Sequence, residues 1–392
     1  MSGAPAELGV LFVHAGAELY GADRILLELT AGLAQRGVVP CVVLPTPGPL
    51  HDELARASVP AGRRNLGVLR RRYFTLPGLL NRLRRIVSST LHLRRVIRER
   101  GIDLVHSNTT AVLPGAFAAL LCGVPHVWHV HEITTRPAWF ARAMAWLVGR
   151  LSDRVVFVSA ATRDHMGGLD PRVRRKGIVI HNGIDTTRAT GGCVGVLRDE
   201  CGWSRAQVLV GMVGRINWWK GQRKLLESAD LLARRRQDLR FLMVGGTFDG
   251  EGRLRDELLA DIEGRGLAGV VAVQDFRADI GNVLADLDIF VLPSTEPDPF
   301  PTVVLEAMAA GKPVVAFRHG GVCEMVEEGR SGILCTPGSA AELADAIERL
   351  ASAPDMRVAM GMAGRERVDR LFTRAAFIDR FHALYRELVA QR

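Results

Sequence analysis

No two of the six cysteines (41, 122, 193, 201, 323 and 335) stand in a C-x-x-C pair. That absence removes zinc ribbons and dithiol redox motifs, and most of the six have apolar neighbours, which suits reduced, packed thiols in a cytosolic chain. Lysine is scarce, with four in 392 residues against forty-seven arginines. No apolar run reaches the roughly 18–20 residues that crossing a bilayer takes. The best candidate, 111–125, is broken by Pro114, Gly115 and Gly123. The start, MSGAPAELGVLFVH, lacks the basic opening of a secretory signal, so a cytoplasmic protein is expected. The dinucleotide fingerprint G-x-G-x-x-G is missing too: the first glycine turn offers only Gly16 and Gly21, which counts against a dehydrogenase. No Ser-His-Asp or Cys-His arrangement stands out.

The charge that is present is concentrated. Of a formal net charge of +9, residues 61–100 supply twelve arginines and one acid, Glu99, a local net of +11, so the other 352 residues sum to −2. A basic patch is not a basic protein, and no nucleic-acid partner is expected. From Leu80 onward the apolar positions Leu83, Ile86, Val87, Leu91, Leu93, Val96 and Ile97 recur at helical spacing with arginines between them. Such a surface suits anionic lipid or a phosphate-bearing acceptor. Arg94 to Arg100 lead straight into a strand and read as the solvated side of a core helix. The arginines from Arg70 to Arg85 are assigned to peripheral contact with an anionic membrane, at its inner face.

Short Val- and Ile-rich runs alternate with helical patterns along the whole chain. Strands are expected at 9–14, 40–44, 104–107, 126–130, 154–158 and 178–181, then at 208–213, 240–244, 270–273, 289–292 and 314–317. Little polar alternation within them indicates parallel sheets buried on both faces. The class is α/β, in two Rossmann-like doubly wound domains facing a central cleft. The expected bounds are 1–184, a Gly- and Thr-rich linker at 185–206, a second domain at 207–371, and a last helix at 372–392 crossing back to the first domain. In such sheets ligands sit beyond the carboxyl ends of the strands.

The segment DPFPTVVLEAMAAGKPVV (298–315) places two acids, Asp298 and Glu306, eight positions apart around an apolar helix start. Thr302 is the expected N-cap. The amides of Thr302 and Val303 at a helix N-terminus suit a phosphate. Glu306, one turn further, suits two vicinal hydroxyls such as a ribose presents. A solvated loop acid and a dipole-stabilising glutamate explain the same spacing equally well. In GMVGRINWWKGQ (211–222) a strand ends at Gly214 and two cations, Arg215 and Lys220, follow before a helix. Fixed positive charge there would stabilise a departing diphosphate. In HVWHVHE (126–132) strand alternation puts His129 and His131 on one face and His126 on the other, so no three-histidine metal cluster is expected. The Asp-x-Asp of DLD (286–288) opens a buried strand and is read as structural.

Together these motifs resemble the family-4 retaining glycosyltransferases, which have the GT-B fold. The resemblance runs over nearly the whole chain and implies transfer of a hexose or N-acetylhexosamine from a nucleotide diphosphate sugar to an acceptor hydroxyl, without a metal or other cofactor. It implies that Arg215, Lys220, Thr302, Val303 and the turn glycine Gly21 hold the diphosphate and Glu306 the ribose. His131 and Asp298 would work at the sugar. Glu296 and Phe300 are further sugar candidates, Phe276 and Arg277 lie where the base is held, and Asn108 lies on the acceptor side. Glu324, in HGGVCEMV (319–326), is read as structural. The family's usual pattern has Glu at the first acid and a glycine where Pro301 stands, so Asp298 departs from it. Two other classes stay open. A nucleotide-sugar epimerase would act on donor alone, and a non-enzymatic polyanion binder would bind with steep salt dependence and ignore loss of Glu306.

Overall fold

The structure is a computed structural model describing residues 7–69, 73, 75–247 and 252–392. The chain divides into two compact units, Met1–Gly183 with Arg374–Arg392, and Ile184–Thr373. Arg70, Arg71 and Arg72, part of the basic surface expected from the sequence, lie outside the described residues.

The first unit holds a seven-stranded parallel sheet of β1 (Leu8–His14), β2 (Val38–Leu44), β3 (Ala61–Arg63), β4 (Leu104–Asn108), β5 (His126–Val130), β6 (Arg154–Phe157) and β7 (Gly177–Val179). Their order is β3-β2-β1-β4-β5-β6-β7. Every residue of β1 is buried, because helices cover both faces. Val10 and Phe12 pack towards helices Gly21–Ala34 and Arg374–Ala390, Leu11 and Val13 towards the other side. The final helix belongs to this unit for a visible reason. It buries Phe377, Ile378, Phe381, Leu384, Tyr385 and Leu388, which at about 1.5–3 kcal/mol per side chain anchors it by roughly 10 kcal/mol.

The second unit is a six-stranded parallel sheet of β8 (Val208–Val213), β9 (Leu239–Val244), β10 (Val271–Gln274), β11 (Ile289–Leu292), β12 (Val314–Phe317) and β13 (Gly332–Cys335). Its order, β10-β9-β8-β11-β12-β13, reverses direction between β8 and β11. That reversal is the switch point at which doubly wound sheets open a crevice for ligands. The loops that leave β8 and β11 carry Arg215, Lys220 and Asp298.

Several expectations need correcting. Strands β3 and β13 were not foreseen; β3 is only three residues long and none of them is buried. Residues 185–206, expected as a linker, lie within the unit Ile184–Thr373. Asp286 holds this stretch down, accepting hydrogen bonds from the amides of Gly195, Leu197 (2.6 Å) and Arg198 (3.2 Å). Asp288 accepts from the amide of Leu209 and pairs with Arg198 at 2.7 Å, so both acids of DLD are spent on structure. All six cysteines are free, yet Cys193 and Cys323 are exposed instead of packed. No helix among the described residues is long and apolar enough to cross a membrane.

Candidate active site

In the second unit the loop Gly214–Gly221 is shaped by its own side chains. Asn217 Oδ1 accepts from the amides of Trp219 (3.1 Å) and Lys220 (2.8 Å), folding the chain back on itself. Gly221 ends the loop at φ +84°, and a Cβ there would stand 1.8 Å from the carbonyl oxygen of Pro293, so only glycine fits. The close approach ties this loop to the one leaving β11, as does the bond from the amide of Thr295 to the carbonyl of Trp219 (2.7 Å).

The two loops bring Lys220 and Asp298 together. Their side chains form an ion pair and are only 18% and 9% exposed. Lys220 Nζ also lies 4.4 Å over the Trp219 ring. The backbone of Asp298 is clamped from behind: its carbonyl accepts from the amide of Gly321 at 2.8 Å. A Cβ on Gly320 or Gly321 would come within 2.3 Å or 2.1 Å of the Asp298–Pro299 backbone. That close packing is why HGGVCEMV carries two glycines.

Helix Thr302–Ala309 follows at once. Thr302 is its first residue and not the expected N-cap; Pro301 holds that position and offers no side-chain cap. The first-turn amides of Thr302 and Val303 have no partner four residues back within the helix. Glu306 is half-buried one turn along, while Val304, Leu305, Ala307 and Met308 fill the core. Arg215 is half-buried at the head of the β8 loop, where its carbonyl accepts from Gln222 Nε2 (3.0 Å).

The remaining donor-side candidates fare unevenly. Glu296 is half-buried in the β11 loop. Phe300 is 6% exposed with its ring 5.9 Å from that of Phe372, so it serves the core instead of a sugar. Phe276 is 51% exposed, a flat apolar face beside the strand ends. Arg277 is held by Glu200 (2.6 Å) and Asp279 (2.7 Å), which raise its pKa, and Asp279 in turn is drawn down to about 2 by Arg277. That guanidinium is committed to the fold.

In the first unit the carboxyl ends of β1, β4 and β5 gather a cluster that the sequence reading largely missed. Register places His14 beside Asn108, and Asn108 beside His129. His14 Nε2 bonds Asp23 Oδ1 at 2.6 Å, and His131 Nε2 lies 3.0 Å from Asn108 Oδ1. The ring of His129 makes no hydrogen bond and lies tilted against that of His131, centroids 4.0 Å apart. Burial, followed by the proximity of His14, pushes the His131 pKa down to about 3, so the ring is neutral at physiological pH. Asn108 is fully buried and bonded to internal groups, not placed on an acceptor surface. Gly21 stands exposed with open space where a Cβ would go; the tight approach is at Gly16, whose Cβ would sit 2.5 Å from Asp23 Oδ1. No group of three or more histidine, cysteine or acidic side chains able to hold a metal ion occurs among the described residues.

Comparison with known proteins agrees across both units. The family profile described as glycosyl transferases group 1 matches residues 197–367, and that described as glycosyltransferase family 4 matches residues 20–188. The chain is 31% identical over 327 residues to the alpha-maltose-1-phosphate synthase of Mycolicibacterium smegmatis, covering 76% of this chain and 82% of that one. It is 30% identical over 280 residues to the 2-deoxystreptamine glucosyltransferase of Streptomyces kanamyceticus, covering 65% and 69%. Among solved structures, Anabaena HepE in complex with UDP-glucose superimposes with a TM-score of 0.84 at 26% identity, over 97% of this chain and 100% of that one.

Proposed function

This chain belongs to the family-4 glycosyltransferases and has the GT-B fold, and from that premise we propose that it transfers a hexose or N-acetylhexosamine from a nucleotide diphosphate sugar to an acceptor hydroxyl with retention of anomeric configuration. The observation that carries the reading is the Lys220–Asp298 pair at the β8/β11 switch point, directly ahead of a helix whose first turn ends in Glu306. Crystallisation of HepE with UDP-glucose supports a nucleotide sugar as donor.

Each group has a chemical task. Arg215, Lys220 and the amides of Thr302 and Val303 neutralise the diphosphate, and Glu306 accepts hydrogen bonds from the ribose. Phe276 offers its exposed face to the base. Asp298 accepts from hydroxyls of the sugar, and Lys220 exchanges part of its contact with Asp298 for phosphate oxygens when donor binds. In the first unit, neutral His131 hydrogen-bonds the reacting sugar. During transfer the bond from the anomeric carbon to the phosphate oxygen breaks, and that oxygen leaves with the electron pair. The bond to the acceptor oxygen forms on the same face. The acceptor proton passes to the departing phosphate oxygen, so no protein base is required. The leaving charge is met by fixed cations, and the reaction is metal-independent.

The acceptor is a hydroxyl on a glycan, a glycolipid or a small metabolite. A specific surface favours work against anionic lipid. Helix Leu76–Glu99 turns Leu76, Leu80, Leu83, Val87 and Leu91 outward at 53–74% exposure, while Ile86, Leu93 and Ile97 face the core. A groove of about 640 Å³ on that face is lined by Arg64, Arg84 and Arg95 among the leucines. Arg82, by contrast, is buried with its guanidinium 4.0 Å over Tyr73. A helix of this length, about 36 Å, lying in the plane of a bilayer would sink its leucines and set arginines among lipid phosphates.

The transferase reading is tested by incubating the protein with a panel of nucleotide sugars, with and without candidate acceptors, and measuring nucleoside diphosphate release. Release from one donor that rises with an acceptor is expected. Conversion of donor to an isomer without release would refute transfer.

A further inference from the structure

Asn108 ends β4 fully buried, although its side chain carries two donor hydrogens and an oxygen with two acceptor positions. Both acceptor positions and one of the hydrogens meet groups whose roles follow from the orientation of the amide. Nδ2 lies 3.5 Å from the carbonyl oxygen of Ala22, a group that only accepts, which settles that this side of the amide is the NH₂. Oδ1 therefore faces the imidazoles: His131 Nε2 at 3.0 Å and His106 Nε2 at 3.4 Å. An amide oxygen only accepts, so both nitrogens must carry hydrogen.

Two arms hold this amide in place. On one side Asp23 grips His14 Nε2 at 2.6 Å, and His14 Nδ1 sits against both the main-chain oxygen (2.9 Å) and Nδ2 (3.0 Å) of Asn108. Asp23 is itself fixed, accepting from the amide of Tyr20 at 3.1 Å at the start of helix Gly21–Ala34. On the other side Tyr385, from the final helix, lies 2.6 Å from His106 Nδ1. Burial keeps that phenol protonated, and with His106 Nε2 donating to Asn108 the bare Nδ1 accepts from its hydroxyl.

We propose that Asn108 is a positioning residue that fixes His131 as the Nε2–H tautomer, braced by Asp23–His14 from one side and by Tyr385–His106 from the other. The inference rests on the reading of His131 as a group that acts at the sugar. Its chemical consequence is definite. The neutral ring gives its hydrogen to Asn108 and has only the Nδ1 lone pair to offer, so His131 accepts a hydrogen bond from a substrate hydroxyl and does not act as an acid.

The test uses the full chain labelled with ¹⁵N-histidine and long-range ¹H–¹⁵N correlation at pH 7, with the His131 signals identified by their loss in His131→Gln. A protonated Nε2 and an unprotonated Nδ1 are expected in the parent protein. A protonated Nδ1, or two averaged nitrogens, would overturn the proposal with no substitution needed in Asn108. In Asn108→Ala, checked for folding by its melting curve, the two nitrogens should average. With an active donor in hand, kcat should fall about tenfold or more while KM for the donor stays within about twofold, the size typical of a lost orienting partner. An unchanged His131 spectrum in that variant would refute the role. Absence of turnover with every nucleotide sugar would count against the transferase reading alone, because the tautomer is read without substrate.

Discussion

Replacing Asp298 with asparagine removes one charge from the ion pair it forms with Lys220 at the proposed donor site. At an effective dielectric near 20, unit charges about 3 Å apart attract by roughly 5 kcal/mol. Desolvation offsets most of this in the intact pair, but removing one partner strands the other at a cost of about 3–5 kcal/mol. Lys220 and Asp298 are 18% and 9% exposed, so solvent relieves little of that penalty. Asparagine keeps one oxygen for the ammonium, which favours the lower end, about 3 kcal/mol. For a unit of this size the expected fall in melting temperature is roughly 6–12 °C. Scanning calorimetry of the full chain would show it, with hydrogen exchange in β8 and β11 identifying the second unit. The double variant Lys220→Met/Asp298→Leu, with no charge left to strand, should return to within about 2 kcal/mol of the parent. A drop of less than about 2 °C in the single variant, or a double variant as unstable as the sum of the singles, would refute a buried, mutually dependent pair.

Glu306→Ala should weaken nucleoside diphosphate binding about 10- to 150-fold, the worth of a hydrogen bond to a charged group. It should also abolish any preference over the 2′,3′-dideoxy analogue in calorimetric titration; a preference that survives would remove Glu306 from the ribose. Burial pushes His106 and His131 to about 3 and His126 to about 4, with His129 also well below its ordinary value. Bases depressed in the folded state stabilise it fully above the unfolded value of about 6.5 and lose that contribution as pH falls towards 3–4, by on the order of 2 kcal/mol per histidine at pH 5. Glu132, raised by burial, works in the opposite direction but is a single group. The urea midpoint should therefore be lower at pH 5 than at pH 7.5, and an equal or higher midpoint would contradict the neutral cluster. Vesicles rich in anionic lipid should sediment the parent protein at low salt, and Leu80→Ser/Leu91→Ser should lose most of this; equal sedimentation by the variant would move the contact away from helix Leu76–Glu99.

What the sequence disclosed and what it hid follow from the range of the interactions. Strands such as β8, β11 and β12 are continuous apolar runs, legible because both faces of the sheet are covered. The helix carrying Glu306 was placed correctly by its apolar run, and only its cap was misread. Asp286 and Asp288 were recognised as structural from the strand they open. By contrast, Lys220 and Asp298 are seventy-eight positions apart, and nothing local says that they meet. Asp23, His14, Asn108 and His131 converge only because β1, β4 and β5 are neighbours in the sheet, a matter of topology. A faint signal existed: His14, Asn108 and His131 each stand at or just beyond the carboxyl end of a strand, where this architecture collects its functional groups. The outward leucines of helix Leu76–Glu99 were misjudged as one stripe because two apolar faces share one helical period.

The second unit is proposed to bind a nucleoside diphosphate through Lys220, the first turn of helix Thr302–Ala309 and Glu306. Thermal denaturation with nucleoside mono- and diphosphates and nucleotide sugars tests it without knowledge of the acceptor. A ligand at about one hundred times its dissociation constant should add about 2.7 kcal/mol, a rise of roughly 5–10 °C. One diphosphate and its sugar conjugate should raise the melting temperature of the parent protein by that amount, and of Glu306→Ala far less. No shift with any of them would mean that the second unit does not bind a nucleoside diphosphate.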